Sequence, residues 1–285
     1  MLYLELWIIF VLLYGIFKGA REPIKKKILE KNDLLSTLFT YTFVGFLMTI
    51  PMAKDVFAID AGTFALIGVK SFVIFIAWIA TFAAVRKLSV SFYSVMDLSR
   101  VIFSTLMGVI FLKESLTVKG IISLALVVLG LYLVNRQKDS VEKTTDNRYV
   151  WLVLFSCLLN AVSGTLDKYL MATREISSIQ LQFWFMLMLS AMYYAYICIK
   201  GNKVDIVGCM KNPYIYILSF LLIAGDQLLF IANSDESSQV TVMTLIKQSS
   251  AIVAILSGKF VYGEKIARKL WCAGIIIFGI VLSVV

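Results

Sequence analysis

The sequence predicts an all-α integral membrane protein, with ten transmembrane helices arranged as two inverted five-helix repeats around a central cavity. Three observations carry that expectation. Hydrophobic residues make up 60% of the 285 positions and charged residues only 16%, which is too little polar surface to coat a soluble globule. Apolar runs of membrane-spanning length recur along the chain between short charged connections. The second half also repeats features of the first in the same order.

The first five runs fall at 3–22, 34–52, 62–85, 88–112 and 117–135, and five more at 149–172, 177–199, 213–233, 238–262 and 266–285. Each is near the ~20 residues that a helix needs to cross hydrocarbon. Only 136–148 is polar enough to serve as a linker, so residues 1–135 and 149–285 form the two expected repeats. Ten such spans leave no room for an extramembrane domain. The opening stretch lacks a basic leader and a small-residue cleavage site, so it reads as a retained span rather than a signal peptide.

Laying 88–134 over 238–284 needs no gap and pairs Val90 with Val240, Ser99 with Ser249, Ile102 with Ile252, Leu106 with Leu256, Gly108 with Gly258, Glu114 with Glu264, Lys119 with Lys269 and Val134 with Val284. In the first run of each half, Gly19 falls over Gly164 and Glu22 over Asp167. Because five is odd, the halves must enter the membrane in opposite senses, an arrangement common in secondary transporters.

Several function classes are excluded or disfavoured. There is no histidine, so imidazole acid–base chemistry and histidine-ligated metals are absent. Cys157, Cys198, Cys209 and Cys272 stand singly and read as small buried hydrophobes. No GxxxxGK[ST] loop signals ATP hydrolysis. Lone carboxylates are a poor basis for an intramembrane enzyme, so neither catalysis nor a cofactor is expected. The net charge of +9 lies mostly between apolar runs, which suits lipid headgroups rather than nucleic acid.

The segment from Lys247 to Glu264, KQSSAIVAILSGKFVYGE, resembles the EamA-type signature of the drug/metabolite transporter superfamily, and Arg100–Glu114 is a second copy. Two departures stand out. Val101 and Ala251 occupy positions, thirteen residues before the glutamates, where many members carry proline, and Lys113 stands where many carry glycine. The resemblance implies ten helices around a central cavity and alternating access. It implies substrates as diverse as amino acids, sugars, nucleotide sugars, phosphorylated metabolites and drugs.

Loop lysines and arginines divide sixteen to four between the two expected sides: Lys25, Lys26, Lys27, Lys31, Arg86, Lys87, Arg136, Lys138, Lys143, Arg148, Lys200, Lys203, Lys211, Lys265, Arg268 and Lys269 against Lys54, Lys113, Lys119 and Arg174. The bias places both termini outside a cell membrane, read as a bacterial plasma membrane.

Charged residues inside the spans are Lys18, Arg21, Lys70, Arg100, Lys168, Lys247, Lys259, Glu22, Asp97, Asp167 and Asp226. Each costs at least about 2.5 kcal/mol at a bilayer centre, so they should face a cavity or one another. Asp97 and Arg100 share a helical face, and Lys247 is the repeat counterpart of Asp97. The candidate substrate-binding set is Lys247, Arg100, Asp97, Gln248, Ser249, Lys70 and Asp226. Gln248 and Ser249 would hydrogen-bond beside Lys247, while Lys70 and Asp226 have only Phe220 and Ile76 as counterparts. The alternative for Asp97 and Lys247 is a structural ion pair. Lys18, Glu22 and Asp167 are candidates for coupling or gating. Against that, Lys18 and Glu22 are spaced to pair locally, and Glu22, Asp167 and Lys168 fall near span ends, where they would snorkel to the interface. Glu114 and Glu264 read as structural, and Trp78, Tyr93, Phe183 and Trp184 as packing groups that could also line a cavity.

The cationic excess favours a secondary transporter of a small polar anion or zwitterion, with a proton or sodium ion for coupling. The alternatives are an exporter of cationic or lipophilic drugs and a membrane assembly subunit that transports nothing. Oligomeric state is not legible.

Overall fold

The computed structural model describes residues 6–111, 113, 117–136, 146–201 and 204–284. Among these there are helices and no strand. In chain order they are α1 (Leu6–Leu29), α2 (Leu34–Thr49, running into a 3₁₀ turn at Ile50–Met52), α3 (Ala61–Lys87), α4 (Val90–Asp97), α5 (Arg100–Phe111) and α6 (Val118–Arg136). The second half has α7 (Arg148–Lys168, continued by a π turn at Tyr169–Thr173), α8 (Ser178–Lys200), α9 (Ile206–Met210), α10 (Pro213–Ser234), α11 (Val240–Lys247), α12 (Ser250–Tyr262) and α13 (Ala267–Val284).

The helix ends follow from short polar residues placed where backbone amides would otherwise go unpaired. Asp33, Asp60 and Ser89 cap α2, α3 and α4, and Ser177 forms a reciprocal capping box with Gln180 at α8. Asn212 caps α10 ahead of Pro213. Gly201 and Gly263 end α8 and α12 in the left-handed conformation.

Among the described residues, six segments are long and apolar enough to cross a membrane by length and composition: 34–52, 61–87, 90–111, 148–173, 178–200 and 213–234. The exterior agrees with a lipid solvent. Trp271 and Phe278 on α13 are 76% and 64% exposed, an aggregation surface in water and a favourable one in hydrocarbon. Inside, Tyr41, Phe82, Phe92, Tyr193 and Phe230 are fully buried.

Packing between the two halves is reciprocal. α1 lies on α10 as α3 lies on α7, α1 meets α12 as α5 meets α7, and α2 meets α10 as α3 meets α8. The counterparts α2 and α8 touch, as do α6 and α13. Two contacts depend on glycine. A Cβ at Gly19 would sit 2.5 Å from the Ser250 carbonyl and 2.6 Å from the Val253 Cβ. One at Gly15 would collide with the Ser249 hydroxyl. The spacing of Gly15 and Gly19 is the small-residue pattern that lets membrane helices approach closely. Gly130 and Gly279 play the same part between α6 and α13, against Ile276 and Leu126 respectively.

The runs 88–112 and 238–262, expected as single helices, are each broken at the same repeat position. Through both breaks the backbone tightens to i→i−3 bonds. Ser99 N donates to Met96 O at 3.1 Å, as Ser249 N does to Ile246 O at 3.0 Å. Val101 N donates to Leu98 O at 3.1 Å, as Ala251 N does to Gln248 O at 2.9 Å. Val101 and Ala251 are the positions where the resemblance leads one to expect proline, so the break persists without it. The chain also forms α9, which the apolar pattern does not signal, and α1 runs seven residues past its expected end at 22.

Glu264 lies in the connection after α12 and accepts the backbone N–H groups of Val90 and Ser91 at 2.8 and 2.9 Å, together with the Ser91 hydroxyl. A carboxylate there satisfies orphan amides and meets the positive end of the helix dipole. Its repeat counterpart Glu114 lies outside the described residues.

Candidate functional site

Between the halves is a cavity of about 100 Å³, room for several ordered waters or the polar head of a small molecule. α1 supplies one face of it with Tyr14, Lys18, Arg21, Glu22 and Lys25, spaced to lie along a single helical stripe. Lys70, Trp78 and Thr81 come from α3, Tyr93 from α4, Arg100 and Ser104 from α5, and Asn160, Ser163 and Asp167 from α7. Asp226 and Phe230 of α10 and Thr244 and Lys247 of α11 complete the far wall.

The break between α4 and α5 places Asp97 beneath this surface. Its Oδ2 accepts from Lys18 Nζ at 2.7 Å and its Oδ1 from Arg100 Nη2 at 2.8 Å, and the Cys157 thiol lies 3.5 Å from Oδ1. Lys25 holds Glu22 at 2.8 Å. Lys70 donates to Ser163 Oγ at 3.1 Å and meets Asp167 Oδ1 at 3.0 Å, an ion contact without hydrogen-bond alignment. Its ammonium also stands 3.8 Å over the Phe185 ring. The pairing of Arg21 with Asp226 is loose, at 3.9 Å.

Six cationic side chains therefore face four carboxylates in and beneath the cavity, a formal excess of two positive charges. Lys247 makes no ion pair or hydrogen bond among the described residues, and its Nζ stands 6.0 Å from the centre of the Tyr14 ring. Arg21 faces the same ring at 5.7 Å. The Nε atoms of Arg21 and Arg100 are buried without a hydrogen-bond partner. Three cations with donors to spare thus line one cavity, two of them, Arg21 and Lys247, within 5.7 and 6.0 Å of the Tyr14 ring centre.

Several expectations are corrected. Asp97 does not pair with Lys247, because Lys18 and Arg100 already occupy both of its oxygens. Lys18 reaches across to α4 instead of pairing with Glu22, which takes Lys25. Glu22 and Asp167 are each only 5% exposed and line the cavity rather than snorkelling to an interface. Lys168 is buried and donates to Asp235 O, Ser238 Oγ and Asn233 O, tying α7 to the end of α10. Gln248 and Ser249 adjoin Lys247 in sequence but do not line the cavity. Ser249 Oγ lies against Gly15 of α1, Gln248 is buried, and neither makes a side-chain hydrogen bond within the described chain. Lys25, counted with the loops, and Lys269, which donates to Ser89, are buried. Cys198 is exposed rather than buried.

Sequence reasoning left Tyr14, Lys25, Tyr41 and Asn160 out of the site and, though it expected Arg21 to face a cavity or another charge, gave it no binding role; all five line the cavity. The signal for three of them was the polar stripe of α1. Trp78 and Tyr93 reach the cavity, whereas Phe183 and Trp184 pack at one end of the bundle. There Trp184 Nε1 donates to Val56 O at 2.7 Å and Gln180 Nε2 to Asp55 O at 2.9 Å, which folds the 53–60 connection over that end. Outside the spans at the same end, hydrogen bonds from Thr63 hold the Asp60 carboxyl below the usual carboxylate range, and Ser237 does the same for Asp235. No cluster of three or more potential metal-binding side chains occurs among the described residues.

Residues 5–136 match the EamA-like transporter family. That family is one of membrane transporters of the drug/metabolite type. One solved crystal structure superposes on 97% of this chain and 96% of its own, with a TM-score of 0.69 at 10% identity. That likeness is one of fold alone. No curated protein matches the chain.

Proposed function

We propose that the chain is a secondary active carrier of a small polar anion or zwitterion, working by alternating access. The observation that carries this is the uncompensated cation Lys247, facing a cavity where Arg21 and Arg100 also keep unused donors. An empty cavity with two excess positive charges resists the loss of water that closure requires. A bound carboxylate or phosphate neutralises that excess, so closure follows loading. Lys247 then acts as a point charge and Arg100 and Arg21 as planar forks. Asp226, whose ion contact is the weakest of the four, is the group for a substrate ammonium or a coupling proton.

The architecture that suits this mechanism is ten crossings in two inverted five-helix halves, 1–135 and 149–285, each with a broken fourth helix. The reciprocal packing and the matched breaks support it. In this account the chain sits in a cell membrane with both termini outside. A cationic or lipophilic drug fits less well, because every carboxylate at the cavity already has a lysine or arginine partner.

The test is a thermal-shift screen of purified protein against anionic, zwitterionic and cationic metabolites, with wild type and Lys247→Gln side by side. A ligand at 100 times its Kd stabilises by about 2.7 kcal/mol, a shift of several degrees. Stabilisation by anions or zwitterions that weakens in Lys247→Gln is expected. Stabilisation by cations alone would overturn the assignment.

A further inference from the structure

A second cleft lies away from the central cavity, where the end of α1, the short α9 and the start of α10 meet. Its volume is about 310 Å³, and it is lined by Lys27, Lys31, Lys211, Asn32, Asn212 and Tyr214, with no carboxylate in the lining. Glu30, between Lys27 and Lys31 in sequence, is exposed and does not line the cleft, and the two other acidic groups nearby are engaged in helix caps. Asp33 caps α2 through Ser36 N, and Asp205 accepts from Gly208 N. Lys27 is held in place by a neutral partner, donating to Tyr214 Oη at 2.7 Å with its ammonium 4.4 Å over the same ring. Such a partner fixes the position of the charge without cancelling it. Asn212 Nδ2 donates to Asn32 Oδ1 at 3.1 Å and bridges the two sides of the cleft. Lys31 and Lys211 are exposed and make no ion pair among the described residues.

We propose that this cleft binds a phosphate group, and that its occupant is the headgroup of an anionic phospholipid. The cleft opens where two long apolar helices end, which is the depth of the bilayer phosphates. Three lysines converging there, with no acid in the lining, suit a phosphodiester, whose two non-bridging oxygens share one negative charge and can each accept from an ammonium group. The charge bias of the loops places the cleft on the lysine-rich side. This site is independent of the central cavity and of its substrate.

The experiment uses purified full-length protein in detergent, with lipid binding followed by native mass spectrometry and by the thermal midpoint. The titrants are phosphatidylglycerol, phosphatidylcholine and inorganic phosphate. The variants are Lys27→Gln/Lys31→Gln/Lys211→Gln and a control, Arg86→Gln/Lys87→Gln/Arg268→Gln, which removes three exposed charges elsewhere. At roughly fivefold per lysine, phosphatidylglycerol affinity should fall on the order of a hundredfold in the cleft variant and stay near wild type in the control. Phosphatidylcholine should bind all three proteins alike. Equal loss in the control, or undiminished phosphatidylglycerol binding in the cleft variant, would overturn the site. Inorganic phosphate matching the lipid's effect at equal concentration would overturn the lipid as occupant.

Discussion

Replacing Asp97 with asparagine should be the most damaging single change of charge in this protein. Asp97 is 5% exposed and is shared by Lys18 at 2.7 Å and Arg100 at 2.8 Å. Neutralising it strands two buried cations at once, whereas removing either cation leaves the other paired. Breaking a buried pair from one side costs about 3–5 kcal/mol, because the remaining charge is uncompensated. Lys18→Met retains the Arg100–Asp97 bond and should cost about 1–2 kcal/mol. For a chain of this length each kcal/mol moves the melting midpoint by about 2–4 °C. The expected order is therefore Asp97→Asn lowest, on the order of 10 °C below wild type, with Lys18→Met only about 4 °C below. The double variant Asp97→Asn/Lys18→Met should recover part of the difference, since only Arg100 then lacks a partner. Melting followed by fluorescence-detected size exclusion in detergent reads all three. A midpoint for Asp97→Asn at or above that of Lys18→Met would refute the shared-carboxylate arrangement.

Three further outcomes are expected. Gly19→Ala should lower the melting midpoint by several degrees, since the added methyl meets the α12 backbone and overpacking costs about 1–3 kcal/mol. Its counterpart Gly164→Ala, whose Cβ meets nothing within 4 Å, should melt like wild type and alter only flux. Glu264→Ala should cost about 1–2 kcal/mol through loss of the α4 cap, with Glu264→Gln intermediate, read as faster amide exchange at Val90 and Ser91. The Asp60 carboxyl is held below its ordinary range in the folded protein, so its contribution is complete at neutral pH and is lost as pH falls through that lowered value. Asp60→Asn should accordingly differ from wild type in exchange at the start of α3 at pH 7 and converge with it at strongly acid pH.

The helices were legible because apolar runs and their capping residues mark them directly, as at Asp33, Asp60 and Ser177. The inward direction of Arg100 and Lys247 was legible from the cost of burying ions in hydrocarbon. The partners were not. Local i,i+4 spacing paired Lys18 with Glu22, but helix packing brought Lys18 to Asp97, 79 positions away. Depth was misjudged where a helix outlasts its apolar run. α1 continues to Leu29, so Glu22 and Lys25 lie within the bundle although the run ends at 22. The breaks at 98–99 and 248–249 contain neither glycine nor proline, so composition gave no sign of them. The Gly15–Gly19 pair did carry a signal, four residues apart in an apolar helix, and it marks the tight α1–α12 contact.

Substrate flux in proteoliposomes, comparing wild type with Lys247→Gln and Lys247→Arg, tests the central claim most directly. A charge-assisted hydrogen bond contributes about 1.5–3 kcal/mol, so uptake of a labelled organic anion or zwitterion should fall at least tenfold in Lys247→Gln at an unchanged melting midpoint. Lys247→Arg should keep part of the activity. Wild-type flux in Lys247→Gln, or a substrate range confined to cations, would contradict a cavity built around an unpartnered lysine.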